Sequence, residues 1–451
     1  MQALGSITAP VSRLGGRLRR RMAPQGAGAP LRGALAISRV ADAAGDDYPA
    51  GMKPHQRIST KLEKFRPSLT LGLKTLVQER ASRGLPVYDF GLGETKGSLN
   101  PEIRAAGERA FREEETMYAD PGGLAELRAA VLRWLGLEGI YTPDDVVITT
   151  GAKQALLNTF MAIANPADVF LFDAAPWVSY APIAAMAYAT PIMVLPRSSD
   201  RLLVGPDDLE RNIRMRPHVK MFLLNNPVNP TAQLYDAATV AELARVCARH
   251  GIYFVLDRLY WKLVFDGAAF PEPPLDPDVL PWLVQIDGMS KNFRRAGGLR
   301  IGWSVGPRDL TAAMVNLQSH YTSGPSVPSQ RAALAALETP YDQSLVTDLE
   351  RKRDLLLASA AGMPHVEVWP TPAAFYSFWD VTGAFGKRTP QGRLIQDSDD
   401  VAAWLCESEG VVTASGCGFM QDGYLRLAFD IPDAEIAAGM AAARRALGAL
   451  E

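Results

Sequence analysis

Few cysteines and almost no net charge set the first limits on this chain of 451 residues. Its three cysteines, Cys247, Cys406 and Cys417, stand far apart without a CxxC pair. We therefore expect neither a disulfide framework nor a metal site, and the low count fits a reducing compartment. A formal net charge of -2 gives no electrostatic reason to expect nucleic acid or an anionic membrane as a partner.

Long apolar runs are also missing. The most apolar window, residues 180–195, contains Pro182 and Pro191, so it predicts a helix followed by a buried strand rather than a membrane span. The length, with 47% hydrophobic and 21% charged residues, is typical of a globular enzyme with room for two domains and a large core.

Acidic residues are absent from the first 41 positions, where arginines stand among Ala, Gly, Ser and Pro. This composition is compatible with an organellar transit peptide, but we favour a flexible leader or translation from an upstream start codon. We expect residues 1–60 to form a leader and N-terminal arm without catalytic residues. The expected location is the cytoplasm, or an organelle if the leader is a transit peptide.

Short β-branched runs alternate with helical patterns from about Asp144 onwards. The predicted strands are residues 146–150, 169–172, 191–195, 220–224, 252–256, 284–287 and 301–305. The predicted helices between them include residues 153–164 and 237–250. Such alternation predicts an α/β domain with a mainly parallel sheet covered by helices on both faces.

The pattern changes after about Gln330. Long helical patterns at residues 341–360, 398–409 and 433–447 surround short strands at 374–380 and 424–429, which predicts a smaller α+β domain. We expect residues 61–95, with a helical pattern between Phe65 and Phe90, to belong to this small domain. The large domain then spans 96–330, and the C-terminal part of the small domain spans 331–451.

Polar residues collect where the predicted strands end. Gly151 follows one strand, Asn229 lies just after another, Asp257 ends a third, and Lys291 lies beyond a fourth. Ligands of parallel sheets bind at the carboxyl ends of the strands, so these residues predict one shared site. Pyridoxal 5′-phosphate (PLP) suits such a site, because it needs an amine for its aldehyde, an acid for its ring nitrogen and cations for its phosphate.

These spaced motifs resemble the fold-type I PLP enzymes, specifically the class I/II aminotransferases near the aspartate aminotransferases. The resemblance rests on the runs 225–231, 257–260 and 288–302 and extends from about Phe90 to Phe429. It implies the aminotransferase fold type I, with a large domain built on a mainly parallel sheet plus a smaller α+β domain. It also implies PLP as the cofactor.

The resemblance assigns a role to each residue around the cofactor ring. Lys291 is expected to form the Schiff base with PLP and then to move protons at the substrate α-carbon. Asp257 is expected to face the ring nitrogen and keep it protonated, while Tyr260 and Asn229 hydrogen-bond the phenolic oxygen. Trp177 is expected to stack on the ring, although large aromatic side chains often only fill a core.

The phosphate is expected to bind where a strand ends and a helix begins. Backbone amides of Gly151, Ala152 and Lys153 can bind it at the helix N-terminus. Arg300 is expected to bind the phosphate through its guanidinium group, and Ser290 through its hydroxyl.

Three further residues match positions that contact the substrate or a second subunit. Arg426 matches the arginine that grips the substrate α-carboxylate, a task suited to a bidentate guanidinium. Gly93 matches a glycine whose amide approaches the same carboxylate. Tyr118 matches a tyrosine that reaches the phosphate in the partner subunit, which implies a homodimer with shared active sites.

The chain departs from the family pattern in four places. The segment from Lys291 to Arg300 is one residue longer than usual, and it contains two further arginines. Ala232 and Ala373 replace glycines, and the loop 93–97 lacks the proline expected after Gly-Glu.

The function that follows from the resemblance is transfer of an amino group from an α-amino acid to a 2-oxo acid. Other PLP reactions stay open, namely β- or γ-elimination or replacement, cyclisation, and oxidation, because the same residues serve them all. A DNA-binding regulator needs a helix-turn-helix domain, for which the Gly/Pro-rich region before Phe65 is too short. A Rossmann dehydrogenase needs a G-x-G-x-x-G turn after a strand, which the sequence lacks in that setting.

Overall fold

The computed structural model describes residues 77–197 and 201–451, and residues 77–82 at its start are helical. The predicted leader 1–60 and the stretch 61–76 of the next predicted segment lie outside the described residues. No described helix is both long enough and apolar enough to cross a membrane.

Strands and helices alternate through the described chain. The strands are β1 (Tyr88–Asp89), β2 (Val146–Thr150), β3 (Val169–Phe172), β4 (Thr190–Met193), β5 (Val219–Asn225), β6 (Tyr253–Asp257), β7 (Leu283–Gly288), β8 (Ile301–Val305), β9 (Glu367–Val368), β10 (Tyr376–Asp380), β11 (Val411–Val412), β12 (Ala414–Ser415) and β13 (Tyr424–Ala428). The α-helices after residues 77–82 are α1 (Pro101–Arg112), α2 (Ala125–Leu135), α3 (Ala152–Ile163), α4 (Tyr180–Met186), α5 (Pro206–Arg214), α6 (Ala237–Arg249), α7 (Met289–Asn292), α8 (Arg308–Ser319), α9 (Val327–Glu338), α10 (Gln343–Ala360), α11 (Ser398–Glu409) and α12 (Asp433–Gly448).

A seven-stranded sheet has the order β2-β8-β7-β6-β5-β3-β4. Strand β8 runs antiparallel to both of its neighbours, and every other adjacent pair is parallel. The prediction of a mainly parallel sheet within an α/β fold is therefore confirmed.

Helices cover both faces of this sheet, so alternate side chains of one strand enter different cores. In β5, Met221 and Leu223 join a cluster with α3, α4 and α8. Phe222 and Leu224 point the other way, into a cluster with α5 and α6. Because successive side chains of a strand point to opposite faces, a continuous apolar run is what a sheet buried on both sides requires.

The last strand of the window 180–195 corrects one expectation. The helix α4 forms as predicted, but β4 lies at the edge of the sheet and pairs only with β3. None of its residues is fully buried, and Thr190 is exposed. Pro191 explains the edge position, because a proline has no N–H to give to a second neighbouring strand.

A separate antiparallel sheet has the order β12-β13-β10-β9, and β1 pairs in parallel with β11. Long helices α10 and α12 share its apolar core, to which Phe90 also contributes from the start of the chain. The pairing of β1 with β11 supports assigning the segment before residue 96 to the small domain. The domain boundaries themselves stay a prediction.

Gly302 in β8 occupies a position where no side chain fits. A Cβ there would lie 2.2 Å from the backbone nitrogen of Ala152 and 2.5 Å from the carbonyl carbon of Gly151. The strand thus presses directly against the turn that opens α3.

We predict that Gly302→Ala destabilises the protein, because the backbone of that turn has to move. The expected loss is about 1–3 kcal/mol of the free energy of unfolding, as for other overpacked sites. Denaturant unfolding of both proteins measures it. Gly298→Ala is the matched control, since a Cβ there meets nothing within 4 Å. Equal stability of the two variants would contradict the prediction.

Candidate active site

A cavity of about 590 Å³ opens at the carboxyl ends of the parallel strands. Most of the residues selected from the sequence line it, namely Gly93, Ala152, Lys153, Trp177, Asn229, Asp257, Tyr260, Ser290, Lys291, Arg300 and Arg426. Gly151 lies directly behind the wall, next to Ala152. Tyr118 does not line the cavity, and its side chain is 94% exposed.

The strand order explains why these residues meet. Asn225 ends β5, Asp257 ends β6, and the two residues are register partners in adjacent parallel strands. Lys291 lies on α7, the single helical turn that follows β7. Because parallel strands finish at the same edge of the sheet, residues far apart in sequence line one cavity.

Lys291 carries a reactive amine. Its Nζ donates a hydrogen bond to the carbonyl oxygen of Gly93. Burial lowers the pKa of Lys291 from its usual 10.5 to about 8, and the nearby cations of Arg426, Arg300 and Lys153 act in the same direction. The Glu94 carboxylate opposes them. A neutral amine is the form that attacks a carbonyl, so the site prepares this residue as a nucleophile.

Asp287 fixes the turn that carries Lys291. Its Oδ1 accepts hydrogen bonds from the backbone N–H of Gly288 at 2.7 Å and from Nδ2 of Asn292 at 3.1 Å. Its Oδ2 accepts from Nε1 of Trp261 at 2.9 Å. Three donors on one buried carboxylate close the backbone loop on both sides of the lysine.

Asp257 is buried and has two protein donors. The Tyr180 hydroxyl donates to its Oδ2 at 2.7 Å, and the backbone N–H of Leu259 donates to its Oδ1 at 3.2 Å. Burial raises the pKa of Asp257 to about 6, although both hydrogen bonds work against that rise. A cationic ring N–H placed against this carboxylate would favour its ionised form.

A chain of hydrogen bonds joins Tyr260 to Arg426. Nδ2 of Asn229 donates to the Tyr260 hydroxyl at 3.3 Å, and Nη1 of Arg426 donates to Oδ1 of Asn229 at 3.1 Å. Asn229 thus sets the direction of the Tyr260 and Arg426 side chains, both of which end in the cavity.

Arg426 is a buried cation without an acidic partner among the described residues. Its Nη2 donates to the carbonyl oxygen of Gly91 at 2.8 Å, and its Nε has no hydrogen-bond partner. The rings of Tyr376 and Phe419 lie 4.5 and 5.2 Å from its guanidinium carbon. Because a buried charge needs a counter-charge, the arrangement suits the carboxylate of a ligand.

The opposite end of the cavity suits a phosphate. Gly151 has a φ of 78° and precedes α3, whose first N–H groups have no partner within the helix. The guanidinium of Arg300 lies against the same turn, 2.5 Å from where a Cβ of Gly151 would stand. Ser290 borders the cavity beside it. With the amine of Lys291 and the acid of Asp257, this donor set fits PLP.

Lys153 and Trp177 form a third part of the wall. Nζ of Lys153 lies 4.9 Å from the centroid of the Trp177 ring, and no described carboxylate lies within ion-pair distance of it. Burial, followed by the charge of Arg300, lowers the pKa of Lys153. Trp177 lines the cavity and also packs against the core that lies behind it.

The cavity residues that were not selected from the sequence include Tyr180, Tyr376 and Glu94. Tyr180 lies one helical turn after Trp177, and that spacing is a signal that points to the same wall. Tyr376 has no local signal beyond being a tyrosine in an apolar strand, where its hydroxyl needs a partner. Arg294, in the longer segment after Lys291, instead donates to the carbonyl oxygen of Ser344 at 3.0 Å and does not line this cavity.

Comparison with known proteins gives one consistent family. A family model described as aminotransferase class I and II matches residues 86–442. The aspartate/prephenate aminotransferase of Cereibacter sphaeroides is 33% identical over 385 residues, which cover 83% of this chain and 95% of that protein. The aspartate aminotransferase of Rhizobium meliloti is 31% identical over 393 residues, 86% of this chain and 94% of that protein.

Solved structures agree with these relatives. The crystal structure of the aspartate aminotransferase from Rhizobium meliloti has a TM-score of 0.82 at 29% identity and covers 89% of this chain and 100% of its own. The aspartate aminotransferase from Thermus thermophilus with maleate has a TM-score of 0.78 at 27% identity, covering 86% of this chain and 99% of its own.

We predict that Lys291→Met stabilises the cofactor-free protein at pH 7. The pKa of Lys291 in the folded state, about 8, lies below the usual 10.5, so the charged amine costs stability below pH 8. That cost fades as the pH rises from 8 to 10.5. The variant should melt about 2–4 °C higher at pH 7, with the difference lost by pH 10.5.

Melting curves of both proteins between pH 7 and 10.5 test this. Lys387→Met, outside the cavity, is the control for removal of a lysine. A difference in melting temperature that stays constant with pH would contradict a lowered pKa at Lys291.

Proposed function

Because the chain belongs to the class I and II aminotransferases, we propose that its amino donor is an α-amino acid with a second carboxylate, such as aspartate. The chain is a PLP-dependent enzyme that transfers an amino group from an amino acid to a 2-oxo acid. Bound PLP supplies the aldehyde and the electron-accepting ring for this transfer. The relatives favour transamination over the elimination, cyclisation and oxidation reactions that the sequence left open.

The observation that carries the proposal is that four cationic side chains line the cavity, Lys153, Lys291, Arg300 and Arg426. Lys291 is required to react with the carbonyl group of PLP, and Arg300 is directed at the phosphate of PLP. Arg426 is available for the α-carboxylate of the substrate. Lys153 is the cation left without a role, and no described carboxylate pairs with it. An ammonium that lines the substrate space without a described carboxylate partner favours a substrate with a second negative charge.

The remaining residues receive roles from their contacts. Lys291 holds and releases the proton that moves at the substrate α-carbon, because its pKa of about 8 lets the amine lose and regain a proton near neutral pH. Asp257, oriented by Tyr180, keeps the ring nitrogen protonated. Tyr260 and Asn229 donate hydrogen bonds toward the phenolic oxygen.

The two ends of the cavity fix the direction of the ligand. Arg426 binds the α-carboxylate, and the backbone amide of Gly93 approaches the same group. At the other end Arg300, Ser290 and the backbone amides from Gly151 to Lys153 bind the phosphate. With both ends held, the α-carbon of the substrate would be oriented toward Lys291.

The names of the relatives agree with a substrate that carries two carboxylates. The relative from Cereibacter sphaeroides is named for aspartate and prephenate, and that from Rhizobium meliloti for aspartate. For this chain we propose aspartate as the donor and a 2-oxo acid with a second carboxylate as the acceptor.

We predict that aspartate converts the visible absorbance of the PLP-loaded enzyme to that of the aminated cofactor, and that Lys153→Met weakens this reaction. The variant should raise KM for aspartate by roughly ten- to a hundredfold, the cost of losing one charged hydrogen bond. KM for alanine should stay unchanged, since alanine has no second carboxylate. Stopped-flow absorbance without an acceptor measures both.

The same variant also tests the alternative that the side chain of Lys153 binds the phosphate of PLP instead of the substrate. If its side chain serves the phosphate, Lys153→Met will weaken PLP binding and slow aspartate and alanine equally, and the proposed donor class is wrong. Lys291→Ala is the control, because it should lack the lysine-bound absorbance band with either donor.

We further propose that the enzyme is a homodimer in which Tyr118 completes the active site of the partner subunit. Met117 and Tyr118 are large apolar residues with exposed fractions of 85% and 94%. Adjacent side chains of this kind are typical of a protein–protein contact, because water is a poor environment for them.

We predict that co-expressing Tyr118→Ala with Lys291→Ala restores activity that neither variant has alone. In a mixed dimer, one site combines Lys291 from one chain with Tyr118 from the other and is intact. Random mixing should give about a quarter of the wild-type activity per chain, because half the dimers carry one intact site. Tyr118 acting within its own chain would leave every site defective, and no activity would return.

For the location of the enzyme we propose a reducing compartment, the cytoplasm unless residues 1–60 serve as a transit peptide. The three cysteines support this, since none of them forms a disulfide.

A further inference from the structure

Tyr376 lies between the two parts of the cavity that have separate proposed roles. It is the first residue of β10 and is 1% exposed. Its hydroxyl oxygen is 2.8 Å from that of Tyr260. Its ring lies 4.5 Å from the guanidinium carbon of Arg426. One side chain therefore contacts both the residue directed at the cofactor and the residue directed at the substrate carboxylate.

The hydrogen bonds around Tyr260 define where its proton can point. Nδ2 of Asn229 already donates to the Tyr260 oxygen. If the Tyr376 hydroxyl donates to it as well, both lone pairs are used and the Tyr260 O–H is free to donate into the cavity. A donor that itself accepts two hydrogen bonds is polarised and becomes a stronger donor toward an anionic oxygen.

The backbone of Gly93 holds the Tyr376 hydroxyl in place. A Cβ at Gly93 would lie 2.4 Å from Oη of Tyr376, so the hydroxyl contacts the glycine backbone closely. The carbonyl oxygen of the same glycine accepts the hydrogen bond from Nζ of Lys291. The position of Tyr376 is thus fixed by the same loop that contacts the reactive amine.

We propose that Tyr376 is a positioning residue whose hydroxyl directs the Tyr260 O–H at the phenolic oxygen of PLP and whose ring supports Arg426. The inference rests on the proposed roles of Tyr260 and Arg426. It adds a coupling between them, because a shift of the Tyr376 ring displaces both contacts at once.

The hydroxyl is tested by Tyr376→Phe, read from the visible absorbance of the lysine-bound cofactor as a function of pH, without substrate. An O–H donated to the phenolic oxygen stabilises that oxygen as an anion and so eases loss of the neighbouring proton. Weakening the donor should raise the pH midpoint of the band by about half a pH unit, a threefold change in proton affinity.

A double-mutant cycle decides whether Tyr376 acts through Tyr260. Tyr260→Phe should raise the midpoint in the same direction, and adding Tyr376→Phe to it should change nothing further. Additive shifts, or an unchanged midpoint in Tyr376→Phe, would overturn the proposal. Tyr235→Phe is the matched control, since its buried hydroxyl accepts a hydrogen bond from Val204 N–H away from the cavity. That variant should leave the midpoint unchanged.

The ring is tested separately by comparing Tyr376→Phe with Tyr376→Leu in steady-state kinetics. Phenylalanine keeps the ring beside Arg426, so KM for the donor should stay near the wild-type value while the midpoint moves. Leucine removes the ring, and KM should rise by roughly tenfold, as expected for loss of a buried cation–π contact. Equal KM values in the two variants would show that the ring does not support Arg426. Because the absorbance titration needs no substrate, a wrong donor class would leave its outcome intact.

Discussion

The lowered pKa of Lys291 depends first on burial and then on cations that the fold keeps close to the amine without neutralising them. Burial lowers the pKa of Lys291, and Arg426, Arg300 and Lys153 lower it further. A carboxylate bound to any of these cations would cancel part of that effect. Arg426 is instead held by neutral acceptors, the carbonyl of Gly91 and the amide of Asn229. The charge therefore stays available both to the lysine and to the carboxylate of a substrate.

Asp257, which lines the same cavity, is the acidic counterpart of these cations. Asp257 is an acid in a buried position, and burial raises its pKa to about 6, so it gains from a cationic partner. Tyr180 fixes one oxygen of the carboxylate and the N–H of Leu259 fixes the other. A ligand that carries a protonated ring nitrogen together with an anionic phenolic oxygen and phosphate would match both the acid and the cations of the cavity. The cavity is complementary to PLP because each wall lacks the charge that the cofactor brings.

Two places where the sequence analysis found a departure from the family pattern are in direct contact. Thr95 follows Gly-Glu, where the family has a proline, and its hydroxyl donates to the carbonyl oxygen of Phe293 at 3.0 Å. The backbone N–H of Arg295, in the longer segment after the lysine, donates to the carbonyl oxygen of Thr95. The next N–H, that of Lys96, donates to the buried carboxylate of Asp430 at 2.7 Å. A proline at position 95 would have no hydroxyl for the carbonyl oxygen of Phe293, so this contact depends on the threonine.

The sequence by itself determined the strands, the type of sheet and the chemical nature of the site. Apolar runs that end at Gly151, Asn225 and Asp257 are local features, and parallel strands necessarily bring their ends to one edge. The tertiary structure alone decided the pKa of Lys291 and the partners of the buried tyrosines. Tyr180 reaches Asp257 across 77 positions, and Tyr376 reaches Tyr260 across 116. No local pattern encodes such contacts, because they depend on how distant strands pack and on which side chains that packing removes from water.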